Sequence, residues 1–115
     1  MTTRADIDIE TLRATQAFIA RISNQYDLRE AILFGSRARR THRADSDADV
    51  AVILHGSIGL RDDVAVNMAG IAFDILMETG VLIGPLPLWE GEWEHPEKFN
   101  NPELIKIIQR EGVSL

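Results

Sequence analysis

The chain lacks cysteine and long apolar runs, and each absence excludes certain classes of protein. Without cysteine there is neither a disulfide framework nor a thiolate metal site. No stretch reaches the roughly 18 apolar residues of a membrane-spanning helix, and the N-terminus lacks the apolar core of a signal peptide. We therefore expect a cytoplasmic protein without membrane association. The apolar content of 45% over 115 residues suits one domain, residues 1–115, with a substantial core.

Basic residues are also scarce. Twelve Lys and Arg stand against 18 Asp and Glu, which gives a net charge of −6. A general nucleic-acid-binding protein would be basic, so we expect no direct binding to nucleic acid. The three histidines, His42, His55 and His95, lack the spacing of metal ligands and are predicted to lie on the surface.

The most informative segment is 35–54, which reads GSRARRTHRADSDADVAVIL. Apolar runs lead into Gly35 and out of Asp49, a pattern typical of a strand, a turn and a second strand. Because alternate strand residues share a face, Asp47 and Asp49 are predicted to lie side by side. A divalent cation relieves the repulsion between two such carboxylates, and Mg²⁺ is commonly held by one or two carboxylates plus phosphate oxygens.

The turn between these strands has features of a phosphate-binding site. Gly35 lets the backbone approach a phosphate closely, and Ser36 offers a hydroxyl and an N–H at a helix start. Arg37 and Arg39 are candidates for phosphate contact, whereas the other arginines of the turn fit a solvated surface. Taken alone, the Gly-Ser pair is most simply an ordinary turn, and the two aspartates are most simply solvated surface residues. Their order and spacing favour a joint functional site.

Periodicity predicts seven elements in the order helix-strand-helix-strand-helix-strand-helix. The predicted helices are 8–26, 36–41, 60–79 and a last one from Asn101 or Pro102 to about Glu111, and the predicted strands are 29–34, 48–54 and 81–88. The segment 89–100 is predicted to be irregular. This order indicates an α/β fold with a small mixed sheet, in which the first two strands are antiparallel and the third runs parallel to the second.

The motif resembles the signature of the DNA polymerase beta-like nucleotidyltransferase superfamily, in which Gly-Ser and a variable stretch precede Asp-x-Asp on an apolar strand. The whole chain resembles the minimal nucleotidyltransferases, which are often encoded beside a HEPN-domain protein. The stretch from His95 onward is similar to the tail of that group. Where this chain has Arg40, glycine is common in the family.

The resemblance implies a nucleotidyltransferase-like fold and a Mg²⁺-dependent enzyme that moves AMP from ATP to a hydroxyl group, with a two-metal site. Its acceptor would be a tyrosine of a HEPN-type toxin, so that the chain would act as an antitoxin and could form homo- or hetero-oligomers. By the same resemblance, the nucleotide is held by Gly35, Ser36, Arg37 and Arg39. Asp47 and Asp49 would bind metal and serve catalysis together with a third acid.

Asp74 is the candidate for that third acid, as both metal ligand and catalytic residue, if a strand begins near residue 72. The helical pattern, however, continues through Asp74 to Gly80. In that case the third strand is VLIGPLPL, which carries no acid, and Leu82 lies near the expected position. The sequence favours the helix and leaves the third carboxylate open.

Three functions remain at this point: an active adenylyltransferase antitoxin, a catalytically impaired protein that neutralises its partner by binding, and a small-molecule nucleotidyltransferase of the aminoglycoside type. An apolar group near the third strand provides either a docking surface or a cover for the sheet edge within the monomer. This group comprises Leu86, Leu88, Trp89, Trp93 and Phe99.

Overall fold

The computed structural model describes residues 2–115 as a four-stranded mixed sheet packed with helices, which confirms the predicted fold class. The helices are Ile9–Ser23 (α1), Ser36–Arg39 (α2), Arg61–Thr79 (α3), Glu90–Glu94 (α4) and Pro102–Glu111 (α5). The strands are Leu28–Phe34 (β1), Ala48–Leu54 (β2), Ile83–Trp89 (β3) and Val113–Ser114 (β4). Single turns of 3-10 helix cover Arg4–Asp6 and Pro96–Lys98.

The strand order is β3-β2-β1-β4. β1 and β2 are antiparallel, and β3 is parallel to β2 after the α3 crossover, as predicted. The register places Phe34 opposite Asp49, so the end of β1 and the start of β2 meet at one edge of the sheet. This pairing brings the turn that follows β1 next to the carboxylates that open β2.

The two faces of the sheet are covered differently. One face packs against α1 and α3 and forms the larger core, with Phe18, Leu33, Val50, Val52, Met68, Ile75 and Ile83 among its members. On the other face, α5 and the segment around α4 cover a smaller cluster that includes Ile32, Ala51, Ile53, Leu88, Phe99, Ile105 and Ile108. This second face is only half-buried at Asp49, Gly84 and Leu86. The chain therefore leaves part of one sheet face accessible at the end that carries the acids.

The segment predicted to be irregular is ordered. It forms α4 and a 3-10 turn, and Glu92 in α4 is 2% exposed. The sequence pattern missed this helix because it is five residues long and is held by contacts with distant segments. The short edge strand β4 also escaped prediction, since it is defined by its pairing with β1 at Ile32 and Leu33.

Most of the apolar group near β3 is buried within the chain. Leu88, Trp89 and Phe99 are buried, whereas Leu86 and Trp93 are half-buried. The interpretation of these side chains as a cover for the sheet therefore describes most of the group. Separately, none of the helices within residues 2–115 has the length and apolar character needed to cross a membrane.

Candidate nucleotide and metal site

Two carboxylates converge where β2 begins. Asp47 precedes the strand and Asp49 is its second residue, so the strand alternation puts both side chains on the less covered face. Gly84 lies opposite Asp49 on β3. A Cβ atom at Gly84 would lie 3.1 Å from Asp49 Oδ1 and 4.0 Å from Asp47 Oδ2. The absent side chain thus leaves room for both carboxylates above the neighbouring strand.

The turn after β1 closes against the same acids. Gly35 has φ 76°, in the region that favours glycine, and a Cβ there would lie 2.4 Å from Asp49 Oδ2. Any side chain at this position would therefore collide with the Asp49 carboxylate. α2 starts at the next residue, Ser36, which is half-buried. The predicted phosphate turn and the predicted metal pair are direct neighbours.

The helix that follows this turn ends at Arg40. Arg40 has φ 62°, a left-handed conformation that side chains disfavour, and its N–H donates to the Ser36 carbonyl. This conformation explains why glycine suits this position in proteins with a similar turn. The strained end closes α2 after four residues.

The Asp49 carboxyl group is electrostatically frustrated. Burial raises its pKa above the usual range, the negative charge of Asp47 raises it further, and the positive charge of Arg39 partly opposes both effects. A bound divalent cation would relieve the repulsion between the acids and replace the lost hydration. Two oxygen-donor carboxylates beside the Gly35-Ser36 turn are a donor set that fits Mg²⁺.

Arg37, predicted as a phosphate ligand, is buried and bonded within the chain. Its side chain is 2% exposed. Nε donates to the Ser46 carbonyl at 3.0 Å, and one terminal nitrogen donates to the Ala44 carbonyl at 3.2 Å. The other donates to Thr11 Oγ1 at 2.7 Å. Because every nitrogen of the guanidinium already has a protein acceptor, Arg37 holds the loop before Asp47 in place.

This loop is also tied to the first helix. Thr11 Oγ1 accepts from Arg37 and donates to Asp8 Oδ1 at 2.8 Å, while Asp8 caps α1 by accepting from the Thr11 N–H. The backbone and hydroxyl hydrogen bonds outweigh burial and hold the pKa of Asp8 below its usual value. The ionised Asp8 therefore lies one hydrogen bond from the buried guanidinium and offsets its charge.

Arg39 remains accessible. Its side chain is half-exposed, and its guanidinium lies 3.7 Å from the Glu111 carboxylate. A cavity of about 490 Å³ opens beside α2, between this helix and the end of α5. Its lining comprises Thr2, Ala38, Arg39, Gln109, Arg110, Glu111 and Gly112. Arg39 is therefore accessible from solvent and its charge acts on Asp49, although it also faces Glu111.

Asp74, the residue predicted as the third carboxylate, does not join the pair. It lies on the exposed side of α3, near Arg21 of α1, whose pKa is raised chiefly by its hydrogen bond with Glu78 and to a smaller extent by the charge of Asp74. Within residues 2–115, no group of three or more acids, histidines or cysteines is placed to hold a metal ion. The neighbours of the pair on the adjacent segment are Gly84 in β3 and Leu82 just before that strand. The Leu82 carbonyl accepts from the Ala48 N–H at 2.8 Å. The helical alternative for residues 60–79 is the one that the fold adopts.

Gly84 is the site residue that the sequence reasoning missed. Its signal was present, because a glycine inside an otherwise apolar strand often marks the close approach of another group. The group that approaches is the pair of carboxylates from β2, and the strand pairing that brings them together involves residues 35 positions apart in the sequence.

Comparisons with known proteins agree with this geometry. A family model described as "Polymerase beta, Nucleotidyltransferase" matches residues 16–78, more than half of the chain. Among solved structures, the chain is similar to a protein from Sulfolobus solfataricus that is provisionally described as a nucleotidyltransferase. The identity is 18%, the TM-score is 0.56, and the match covers 92% of this chain and 79% of the other. This similarity shows a shared fold. No curated protein matches the chain.

Proposed function

Because this chain belongs to the polymerase beta-type nucleotidyltransferase family, whose general chemistry is nucleotidyl transfer, we propose that it moves AMP from ATP to a hydroxyl group. The observation that carries the proposal is the close approach of the Gly35 turn to Asp49, with Asp47 beside it. One small volume thereby combines backbone donors for phosphate with carboxylates for a cation.

In this proposal the triphosphate of ATP lies on the Gly35-Ser36 turn. Glycine allows the phosphate oxygens to approach the backbone, and the first N–H groups of α2 point toward them. Arg39 contributes a positive charge from its half-exposed position beside Asp49. Arg37 contributes indirectly, since it fixes the loop that leads into Asp47.

Asp47 and Asp49 would hold Mg²⁺ together with phosphate oxygens. When bound, the ion would neutralise charge on the transferring phosphoryl group. The described residues offer two carboxylates, so we propose that the chain itself supplies ligands for one ion rather than a full set for two. The half-buried environment of Asp49 strengthens its attraction to a cation.

The reaction follows from this arrangement. The acceptor hydroxyl oxygen attacks the α-phosphorus, and an oxygen–phosphorus bond forms there. The bond between the α-phosphorus and the oxygen that bridges to the β-phosphate breaks in line, and pyrophosphate leaves with that electron pair. The hydroxyl proton passes to water or to an ionised carboxylate of the pair. Atoms and charge balance with ATP and acceptor as the reactants.

For the acceptor we propose a tyrosine of a HEPN-type toxin, which makes the chain an antitoxin. The support is the resemblance to minimal nucleotidyltransferases, together with the accessibility of the site. Asp47 is exposed, and the adjacent Leu82 is 38% exposed. A side chain presented by a protein partner therefore has a route to the carboxylates.

The second candidate is a protein of this fold that neutralises its partner by binding without transfer. The position of Asp74 away from Asp47 and Asp49 favours it, because the described residues include no third carboxylate at the pair. Under this alternative the Asp-x-Asp pair would bind a cation or nucleotide without chemistry.

The two candidates separate in a transfer assay with α-³²P-labelled ATP, Mg²⁺ and a co-purified HEPN-type partner. We expect label on the partner and a loss of roughly 100-fold or more with Asp47→Asn or Asp49→Asn, since each removes a cation ligand. The matched control is Asp45→Asn, which removes an exposed acid from the same loop and should keep full transfer.

Label that persists in both site variants would contradict the proposed catalytic pair. No label with wild type, while the partner stays bound and inhibited, would establish the binding alternative. Label on a tyrosine, identified by mass spectrometry of the partner, would support the proposed acceptor. Label on another residue type would refute that part of the proposal while leaving nucleotidyl transfer intact.

A further inference from the structure

Arg39 interacts with two acidic groups that come from different parts of the chain. It is the last residue of α2, and its half-exposed guanidinium lies 3.7 Å from the carboxylate of Glu111, the last residue of α5. Its positive charge also acts on Asp49, where it opposes the rise in the pKa of that carboxyl group. Among residues 2–115, Glu111 is the carboxylate that forms an ion pair with Arg39. The arginine beside the proposed site therefore already has an anionic partner.

The end of α5 is fixed where it meets the strand that leads into Gly35. β4 pairs with β1 in antiparallel register, so the chain that precedes β4 runs toward the turn at Gly35. Between α5 and β4, the Gly112 N–H donates to the Ile108 carbonyl at 2.8 Å. A Cβ atom at Gly112 would lie 2.4 Å from Ile32 Cγ2 in β1. This close packing holds Glu111 in place beside α2.

The cavity of about 490 Å³ between α2 and the end of α5 combines charges of both signs. Arg39 and Arg110 line it, and Glu111 is the carboxylate among its lining residues. Two guanidinium groups and one carboxylate leave a positive balance, which favours an anion in this space. Because α2 begins at Ser36, the same short helix connects the proposed phosphate turn with this cavity.

We propose that Glu111 limits the affinity of the nucleotide site, because its carboxylate competes with phosphate for Arg39. This inference rests on the proposed function, in which a triphosphate lies on the Gly35-Ser36 turn beside Arg39. Arginine binds phosphate through charge-assisted hydrogen bonds, whereas an exposed ion pair at 3.7 Å contributes little. A polyphosphate therefore displaces the Glu111 carboxylate from Arg39, and the displacement weakens its net binding.

The same competition acts on the product. Pyrophosphate leaves with the phosphate groups that Arg39 would contact, and the Glu111 carboxylate takes their place on the guanidinium. Glu111 therefore shortens the time for which the site retains pyrophosphate. Its removal should strengthen the binding of pyrophosphate as well as that of ATP.

Isothermal titration calorimetry of the full chain tests the competition, with ATP, tripolyphosphate and pyrophosphate as separate ligands in the presence of Mg²⁺. We expect Glu111→Gln to bind each ligand about two- to fivefold more tightly than wild type, the range that an exposed ion pair supports. Arg39→Gln should bind each ligand more weakly. In the double variant, Glu111→Gln should add nothing to Arg39→Gln, because the guanidinium for which the groups compete is absent.

The matched control is Glu103→Gln, which removes another exposed carboxylate of α5 and changes the net charge by the same amount. It should bind each ligand as wild type does. Circular dichroism checks that all variants fold.

Three results would overturn the inference. Equal tightening by Glu103→Gln would assign the effect to net charge alone. Weaker binding by Glu111→Gln would show that Glu111 orients Arg39 for the ligand. Tightening that persists without Arg39 would place the competition at another group.

The calorimetry also separates this inference from the proposed function. Binding by wild type without the expected difference in Glu111→Gln would overturn the inference alone. Absence of binding by wild type and every variant would overturn both the inference and the phosphate-binding part of the proposed function.

Discussion

At the scale of single residues, two glycines and two aspartates define the site. Gly35 and Gly84 each leave a space that an Asp49 oxygen occupies, from opposite sides of the carboxylate. Asp49 is thereby held half-buried beside Asp47, in an environment that disfavours its charge. In the proposed function, the same unfavourable placement would favour the binding of a cation between the two carboxylates.

We predict that Asp49→Asn stabilises the fold while it abolishes transfer. Because the pKa of Asp49 is raised in the folded chain, ionisation above the ordinary carboxyl pKa of about 4 disfavours folding. The variant should gain about 0.5–1 kcal/mol in free energy of unfolding at pH 7. The gain should fade as the pH drops below the ordinary pKa, where the carboxyl group is protonated in both states. Urea unfolding measures it, and a less stable variant at pH 7 would contradict the electrostatic account.

At the scale of elements, one arginine joins three of them. Arg61, the first residue of α3, donates to the Pro87 carbonyl in β3 at 2.6 Å and forms an ion pair with the buried Glu92 of α4. Its guanidinium lies 5.1 Å from the ring centres of both Trp89 and Phe99. Glu92 also accepts from the Trp89 N–H. This cluster orders a segment whose sequence alone predicts no regular structure.

Arg61→Met should therefore destabilise the fold by about 3–5 kcal/mol, because it leaves the buried Glu92 carboxylate without its partner. The double variant Arg61→Met with Glu92→Gln should recover much of that loss, since glutamine is neutral and still accepts from Trp89. The surface pair offers the control: Arg21→Met, which breaks the exposed contact with Glu78, should change stability by 1 kcal/mol or less. Additive losses in the double variant would argue against the coupling.

At the scale of the whole molecule, the sheet separates two faces that are covered differently. α1 and α3 cover one face, and the acids lie at the less covered end of the other. Asp74 belongs to the first face because it lies on the exposed side of α3. Asp74 and the proposed transfer site are therefore on opposite sides of the sheet.

Asp74→Asn should keep nucleotidyl transfer within about twofold of wild type, since a surface substitution remote from the site leaves its charges unchanged. The measurement is the same labelled-ATP assay, run beside Asp49→Asn. A loss of tenfold or more with Asp74→Asn, in a folded variant, would show that Asp74 acts at the pair and would contradict its placement on α3.

The sequence by itself determined the features that depend on neighbouring residues. Alternation placed Asp47 and Asp49 on one face, the apolar runs located β1 and β2, and a period of 3.6 residues carried α3 through Asp74 to Gly80. Each of these features follows from local backbone geometry, so a segment of a few residues is enough to predict it. The antiparallel pairing of β1 and β2 was also predictable, because a joint site requires Gly35 at the end of β1 to meet Asp47 and Asp49 at the start of β2.

Only the tertiary structure decided which polar side chains are free and which are occupied. Arg37 and Arg39 are indistinguishable in the sequence pattern. In the fold, Arg37 is buried and donates hydrogen bonds to Thr11, Ala44 and Ser46, whereas Arg39 is half-exposed. Likewise, α4 is held by an ion pair with Arg61, some thirty residues away. The burial of a side chain and its hydrogen-bond partners depend on segments that are distant in sequence. A local sequence pattern therefore does not predict them.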